Sequence, residues 1–298
     1  MPADGVELKP KTHILSFEEI IRLGELFAAN GINKIRLTGG EPLIRKELDS
    51  LISRLSEIDG IDALTITTNG LLLSAKLENL RKAGVTGFNI SLDTLREDRF
   101  QQITRRPGLQ KVLGAIADTS NAGYRPVKIN CVVIRGFNED ELTDFVEMTC
   151  NSPVDIRFIE YMPFDGNAWN NAKFFSYQEM VDRIREVYPT FERTDASDLN
   201  ITKDWKVPGF EGTVGFISSM SQHFCAGCNR IRITADGQLK VCLFGSQEVN
   251  LRDMMRSGYT DDALLAEVQS ALSRKKASHA GMEAIAASDN RPMILIGG

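Results

Sequence analysis

The feature that most constrains the fold is a regular alternation of helix and strand signals from residue 16 to about residue 188. Amphipathic helical stretches separate five short predicted strands, which run over residues 34–38, 64–68, 87–92, 127–134 and 155–162. The first helix opens with a capping box, because Ser16 stands three residues before Glu19. Strands that are joined by helical crossovers lie parallel. The sequence therefore predicts an α/β fold built on a parallel sheet.

The alternation stops after about residue 189, and a second, smaller unit is predicted there. Residues 194–212 are polar and are interrupted by glycine and proline. The pattern then predicts a strand over 212–219, a hairpin of 229–234 with 238–243, and short helices near 250–256 and 261–275. We therefore expect one domain over residues 1–188 and a second domain over residues 189–298.

Polar and charged residues recur on one face of the predicted strands, since residues two apart in a strand point the same way. A parallel sheet that is covered on both faces would instead be apolar throughout. A flat sheet would bury the cations of this face at a cost of about several kcal/mol each, whereas a curled sheet encloses them in a wet cavity. We expect an open α/β barrel that binds ligands in its mouth; the alternative is that the polar residues mark exposed strand edges. The face comprises Lys34, Arg36, Thr38, Thr65, Thr67, Asn69, Asn89, Ser91, Asp93, Lys128, Asn130 and Arg157.

The charge balance restricts the class of partner. The chain has 35 Lys and Arg against 40 Asp and Glu, which gives a formal net charge of −5. That balance argues against a general binder of nucleic acid or of membrane surfaces, so an anionic ligand must meet a local basic cluster. No stretch reaches the roughly 18 apolar residues of a membrane span, and the first residues lack the apolar core of a signal peptide. A cytoplasmic location is expected.

Three of the five cysteines are concentrated near the C-terminus, where Cys225 and Cys228 form a CxxC motif and Cys242 follows across the predicted hairpin. Close thiolates with a third brought back by a hairpin are typical of small metal centres. The site could be a zinc site closed by His223, or a [4Fe–4S] cluster with one open iron. The spacing alone favours neither metal.

Arg230 and Arg232 lie beside this motif, and the period of two places both on one face of the hairpin strand. Guanidinium groups bind phosphate and carboxylate in fixed geometry. Together with the four cations of the sheet, six positive charges are expected to converge. A polyanionic small molecule such as a nucleoside triphosphate is the simplest ligand. Because no GxxxxGK[ST] loop is present, a P-loop hydrolase is not expected.

Seven stretches, spread over nearly the whole chain, resemble the MoaA-type GTP 3′,8-cyclases, which are radical S-adenosylmethionine enzymes of molybdenum-cofactor biosynthesis. They are IRLTGGEPL at 35–43, ITTNG at 66–70, NISLDTL at 89–95, KINCVVIRGFNEDE at 128–141, DIRFIEYMPF at 155–164, CAGCNRIRITADGQLKVCLF at 225–244 and NRPMILIGG at 290–298. The resemblance implies an incomplete, open parallel α/β barrel of radical SAM type, followed by a small iron–sulfur unit with a β-hairpin. The first barrel strand of the family has no counterpart in this sequence.

The resemblance also implies two sets of binding residues. Residues that would contact S-adenosylmethionine are Gly39, Gly40, Glu41, Ser91 and Met162. Residues that would hold GTP are Lys34, Arg36, Thr67, Lys128, Arg157, Arg230, Ile231 and Arg232. No side chain is expected to act as a general base, because the cofactors supply the radical chemistry.

The same resemblance assigns Cys225, Cys228 and Cys242 to a [4Fe–4S] cluster whose open iron faces the guanine. Gly297 and Gly298 correspond to a tail that reaches into the active site. The implied reaction converts GTP to (8S)-3′,8-cyclo-7,8-dihydroguanosine 5′-triphosphate and is classed as a lyase reaction. The expected partners are GTP and, in a homodimer, a second copy of the chain; nucleic acid and membranes are not expected.

One part of the family pattern is absent from this sequence. Members carry a CxxxCxxC motif for a second [4Fe–4S] cluster immediately before the position of Met1, and its ligands do not occur here. As written, the chain is therefore expected to be inactive, and the strand that starts at Lys34 is expected to have an uncovered edge. The alternative hypothesis is a non-catalytic nucleotide- and metal-binding paralogue or a zinc-ribbon protein.

Overall fold

A large sheet of eight strands organises the chain. The computed structural model describes residues 9–164, 167, 169–194, 201–222, 225–275, 281–287 and 291–297. The strands of this sheet are β1 (Lys34–Leu37), β2 (Ala63–Thr68), β3 (Gly87–Ser91), β4 (Val127–Val133), β5 (Val154–Glu160), β6 (Glu192–Arg193), β7 (Lys203–Lys206) and β8 (Thr213–Ile217).

The strand order is β1-β2-β3-β4-β5-β8-β7-β6. The first five strands and β8 pair in parallel, and β7 pairs antiparallel with both β8 and β6. The parallel α/β prediction is confirmed. The strand predicted over 212–219 was assigned to the second unit, but it pairs with β5 and extends the large sheet. Within the described residues, β1 and β6 are the edge strands, so the sheet is open.

Helices connect the strands of this sheet. They are α1 (Phe17–Ala28), α2 (Leu48–Ser56), α3 (Leu73–Lys82), α4 (Glu97–Thr104), α5 (Leu109–Asn121), α6 (Leu142–Glu147) and α7 (Tyr177–Val187). The capping box predicted from Ser16 with Glu19 forms, and a second capping box of Ser176 with Glu179 begins α7. Each satisfies backbone N–H groups that the first helical turn leaves without a partner.

A three-stranded antiparallel sheet forms the smaller unit. Its strands are β9 (Arg232–Ile233), β10 (Gln238–Lys240) and β11 (Val249–Asn250), in the order β11-β10-β9. The predicted hairpin is confirmed with shorter strands. Among the residues that the structure describes after β11, the helices are α8 (Leu251–Arg256), α9 (Asp261–Ser273), α10 (Met282–Ala286) and α11 (Met293–Ile296).

Two apolar clusters form the core. The larger lies between the eight-stranded sheet and its helices, where Leu64, Ile66 and Phe88 are at most 1% exposed. The smaller joins Leu23, Leu26 and Phe27 of α1 to the small sheet, α8 and α9. Because α1 contributes to both clusters, it fixes the small sheet relative to the large one. In the part of the chain that the structure describes, no helix is long and apolar enough to cross a membrane.

Candidate functional site

The polar face of the large sheet is the foundation of the site. The apolar neighbours of its residues are buried on the opposite face, where Ile90 and Ile129 are 0% exposed. On the polar face the strand register places Asn89 opposite Lys128, and Asn130 opposite both Ser91 and Arg157. The period-two prediction is therefore correct: one face packs into the core and the other presents cations and amides.

The hairpin residues Arg230 and Arg232 join the cations of the sheet. Arg36 experiences charge repulsion from Arg230, Arg157 and Arg232, and Lys34 experiences it from Arg36, Arg157 and Arg230. The structure thus brings all six predicted cations into one electrostatic cluster, here named the cation cluster: Lys34, Arg36, Lys128, Arg157, Arg230 and Arg232.

Burial and mutual repulsion lower the pKa values of several groups in the cation cluster. Burial, followed by repulsion from Arg157, lowers the pKa of Lys128 to about 8. Burial, followed by repulsion from Arg230, lowers the pKa of Arg36 to about 10. Burial also lowers the pKa values of Arg230 and Arg232. Cations that are held together at such a cost are typical of a site for a multiply charged anion.

Three buried polar atoms on this face have no hydrogen-bond partner within the described residues: Arg36 Nε, Thr67 Oγ1 and Asn130 Oδ1. Buried polar groups are nearly always satisfied in a folded protein, so each such exception requires an explanation. Together the three atoms offer an N–H donor, a hydroxyl and a carbonyl acceptor. A ligand with both hydroxyls and phosphates would satisfy all three.

The prediction omitted two residues of this site. Asp155 accepts a hydrogen bond from Arg157 Nε at 2.8 Å, and its side chain is 7% exposed. Asn130 was placed on the polar face but not among the ligand-binding residues. Its period-two spacing from Lys128 was the signal that could have identified it.

The loop after β1 contains the predicted S-adenosylmethionine residues. The Glu41 carboxylate accepts hydrogen bonds from Leu43 N at 3.0 Å, Thr68 Oγ1 at 2.8 Å and Asn69 N at 2.7 Å. It therefore ties this loop to the end of β2. Gly39 has a φ of +127° and an exposed backbone. Its amide N–H donates to Thr38 Oγ1, and its positive φ is a conformation that glycine adopts readily.

The other predicted residues are more dispersed. Ser91 is exposed at the end of β3, and Met162 is half-buried just after β5. Ile231 packs against the smaller apolar cluster, so its side chain faces the core of the hairpin unit. Any contact of Ile231 with a ligand would be made through its backbone.

The C-terminal tail lies over the same loop. A Cβ added at Gly297 would overlap Thr38 Oγ1 and would lie 3.4 Å from Gly39 N. Ile294 Cγ1 lies 3.4 Å from the position of a Cβ on Gly40. The φ of Gly297 is +86°, which also favours glycine. Gly298, the other residue of the predicted tail, lies outside the described residues.

The three C-terminal cysteines flank the cation cluster. Cys225 and Cys228 share one short helical turn, in which Cys228 N donates to Cys225 O at 3.1 Å. The thiols of both Cys228 and Cys242 interact electrostatically with Arg232. Among the described residues, no three His, Cys, Asp or Glu side chains are gathered closely enough to hold a metal ion. His223, the predicted zinc alternative, lies outside the described residues.

The thiols nevertheless fit an iron–sulfur cluster in donor type. Soft thiolates select iron–sulfur clusters and zinc, whereas oxygen ligands select magnesium and calcium. A hairpin that returns Cys242 toward Cys228 is suited to close a site around a group larger than a single ion.

Two family profiles match the sequence. The Radical SAM superfamily profile matches residues 3–149, and the profile described as Molybdenum Cofactor Synthesis C matches residues 154–281. The Radical SAM superfamily implies a [4Fe–4S] cluster and S-adenosylmethionine.

Curated relatives match over most of the chain. Molybdenum cofactor biosynthesis protein 1 of Dictyostelium discoideum is 55% identical over 100% of this chain and 48% of its own length. The mitochondrial GTP 3′,8-cyclase of Arabidopsis thaliana is 50% identical over 100% of this chain and 76% of its own length. The GTP 3′,8-cyclase of Moorella thermoacetica is 42% identical, with 94% and 86% covered. The chain spans about half the length of the first of these relatives.

A solved structure shares the fold. The crystal structure of Streptococcus suis SuiB bound to S-adenosylmethionine superposes with a TM-score of 0.60 at 14% identity, covering 88% of this chain and 62% of that one.

Proposed function

The chain belongs to the GTP 3′,8-cyclase family of the Radical SAM superfamily, and on that premise we propose that it binds GTP and S-adenosylmethionine for the family's cyclisation. The product would be (8S)-3′,8-cyclo-7,8-dihydroguanosine 5′-triphosphate. The observation that carries the proposal is the cation cluster, together with the three buried polar atoms that lack partners beside it.

In this proposal the cation cluster binds the triphosphate. A triphosphate offsets the repulsion that Arg36 and Lys128 experience from neighbouring cations, and it restores the pKa values of these two groups toward their ordinary range. The guanidinium groups of Arg230 and Arg232 add bidentate contacts from the hairpin side. Thr67 and Asn130 provide neutral hydrogen-bonding groups for the ribose or the base.

S-adenosylmethionine is proposed to lie at the loop after β1. The exposed Gly39 and Gly40 would lie beside the methionine moiety, while Ser91 and Met162 lie at the neighbouring strand ends. Glu41 supports this site by holding the loop against Thr68 and Asn69, since it accepts hydrogen bonds from both of them and from Leu43 N. Gly297 packs against this loop from the side of the C-terminal tail.

Cys225, Cys228 and Cys242 are proposed to hold a [4Fe–4S] cluster. When bound, the iron–sulfur and S-adenosylmethionine groups supply the radical and redox chemistry, and the side chains of this chain bind and orient the substrate. The domain boundary at residue 188, the homodimer and the cytoplasmic location stay predictions.

Direct calorimetry of ligand binding tests the proposal without depending on turnover. We expect GTP to bind the anaerobically purified chain more tightly than ATP. Arg232→Ala should weaken GTP binding by about ten- to a hundredfold, because a buried charge-assisted contact is lost. Arg274→Ala is the matched control, since Arg274 is exposed and hydrogen-bonded to Ser270 in the same unit. Equal effects of the two variants, or no GTP binding, would contradict the proposal.

The second candidate is a non-catalytic paralogue with a zinc ribbon. It rests on the CxxC motif of Cys225 and Cys228, which occurs in zinc sites as well as in iron–sulfur sites. Metal analysis of the same anaerobic sample separates the two candidates. About four irons per chain with a brown colour supports the cluster, whereas one zinc without colour supports the ribbon.

A further inference from the structure

Arg291 is held by two carboxylates at the start of the C-terminal tail. Its Nε and Nη2 donate to Glu248 at 2.7 and 2.6 Å, and its Nη1 donates to both oxygens of Asp236 at 3.0 and 2.9 Å. The arginine side chain is 23% exposed, against 18% for Glu248 and 8% for Asp236. A planar, five-donor guanidinium suits this forked arrangement, whereas a lysine ammonium could not make both bidentate contacts.

The two carboxylates are themselves fixed in position. Asp236 also pairs with Lys9 and accepts from Thr234, and Glu248 lies 3.5 Å from the ammonium of Lys240. Although burial opposes it, the hydrogen bonds from Lys9, Thr234 and Arg291 hold the pKa of Asp236 well below its usual range. The Asp236 carboxylate is therefore ionised at neutral and mildly acidic pH.

The anchor is connected to both sides of the candidate site. Asp236 lies in the turn between β9 and β10, the hairpin that carries Arg232, and Lys240 of β10 pairs in register with Arg232. On the other side, only Pro292 and α11 separate Arg291 from Gly297, which packs against Thr38 and Gly39. Arg291 thus connects the hairpin to the segment that covers the loop after β1.

We propose that Arg291, by bridging Asp236 and Glu248, is a positioning residue that sets the C-terminal tail so that Gly297 lies against the Thr38–Gly39 loop. The importance of that loop for S-adenosylmethionine rests on the proposed function, whereas the positioning does not. Arg291 acts through the tail and contacts no ligand itself.

Hydrogen exchange of the full 298-residue chain without ligands tests this proposal. In Arg291→Gln we expect exchange to accelerate about tenfold or more in two places, the tail over 291–297 and the loop over 38–43, because the charge-assisted anchor is lost. Arg291→Lys keeps the charge without the fork and should give an intermediate rate. Arg22→Gln is the matched control, because it removes a pair with Asp261 and a bond to Tyr259 O that lie away from the tail.

A merely structural role predicts a different pattern. It would accelerate exchange throughout the chain and lower the melting temperature, whereas positioning changes the tail and the loop with little change elsewhere. Gly297→Ala should release the same loop, and the double variant with Arg291→Gln should be no faster there than the faster single variant, since both act through one contact. Additive rates, or wild-type exchange in Arg291→Gln, would overturn the proposal. Failure of GTP to bind the wild-type chain would instead count against the proposed function alone.

Discussion

Individual side chains in the cation cluster have pKa values that are shifted by burial and by neighbouring charges. Lys128 shows this most clearly, because burial and its cationic neighbours lower its pKa to about 8. Between that value and the ordinary lysine pKa, the unfolded chain binds the proton more strongly than the folded chain. The free energy of unfolding of the ligand-free protein should therefore rise as the pH rises through this window.

A bound triphosphate should raise the pKa of Lys128 again, so the affinity for GTP should depend on pH. Binding should draw a proton onto Lys128 near pH 8, so the dissociation constant for GTP should increase by up to about tenfold per pH unit above that pH. Calorimetry in buffers of different ionisation enthalpy measures the proton uptake. Lys128→Gln should remove it, while Lys82→Gln, an exposed lysine on α3, should not. The difference between the variants also subtracts the titration of GTP itself, and equal uptake in both would refute this assignment.

At the scale of elements, one buried carboxylate fixes three segments at the end of β5. Glu160 is 0% exposed and accepts from Tyr177 N at 2.8 Å, at the start of α7. It also accepts from Met220 N at 2.7 Å and from Ser221 N at 2.9 Å, in the segment that follows β8. The strand end that carries Met162 is thereby tied to the segment that leads toward Cys225.

Glu160→Gln should destabilise the protein by about 1 to 3 kcal/mol, because an amide has one acceptor oxygen and its NH₂ group would face backbone donors. Urea unfolding followed by circular dichroism measures this change. Glu97→Gln, at an exposed position on α4, is the matched control and should change stability by less than about 0.5 kcal/mol. A loss no larger in Glu160→Gln than in the control would show that these hydrogen bonds contribute little.

The strands and helices could be predicted where their signal is local. The capping box at Ser16 and the period-two pattern of β4 each depend on residues that stand two or three positions apart, and both are confirmed. The capping box at Ser176 has the same local spacing. The position of β8 could not be predicted in this way, because its partner β5 lies more than fifty residues earlier. Strand pairing at that separation is decided by packing, which a local pattern does not contain.

At the scale of the whole molecule, the candidate site depends on how the hairpin is docked. Leu239 of β10 is 1% exposed and belongs to the smaller apolar cluster with Leu23, Leu26 and Phe27 of α1. The smaller apolar cluster holds β10, whose neighbour β9 carries Arg232. Apolar packing therefore sets the position of a cation that we propose to bind GTP.

Leu239→Ala should therefore weaken GTP binding although Leu239 contacts no ligand. The expected loss of stability is about 2 to 5 kcal/mol, as for other buried leucines. Leu55→Ala, which removes a 0% exposed leucine from the larger cluster, is the matched control. It should destabilise the protein to a similar degree while leaving the GTP dissociation constant unchanged, as measured by calorimetry below the onset of unfolding. Parallel losses of affinity would show that global stability alone is responsible.

The convergence of charges in the site could be predicted, because the pattern that indicates it lies within each strand. The anchor of the C-terminal tail could not be predicted from such a local pattern. The period of two assigns Lys128 and Asn130 of β4 to one face, and Asp155 and Arg157 of β5 to one face, whatever the surroundings. The contact between Asp236 and Arg291 joins residues 55 positions apart, and neither lies in a motif that indicates the other. Only the folded arrangement of the hairpin and the tail brings them together.

The double membership of α1 has a consequence for any attempt to dissect or recombine this chain. Ile20 packs against both apolar clusters, and the half of the smaller cluster that comes from residues 15–27 is encoded more than two hundred residues before the half from residues 239–271. A fragment cut after β8 would leave leucines of both pieces facing water. Exchange of the segment after β8 between homologues should give a folded protein only when α1 is exchanged together with it.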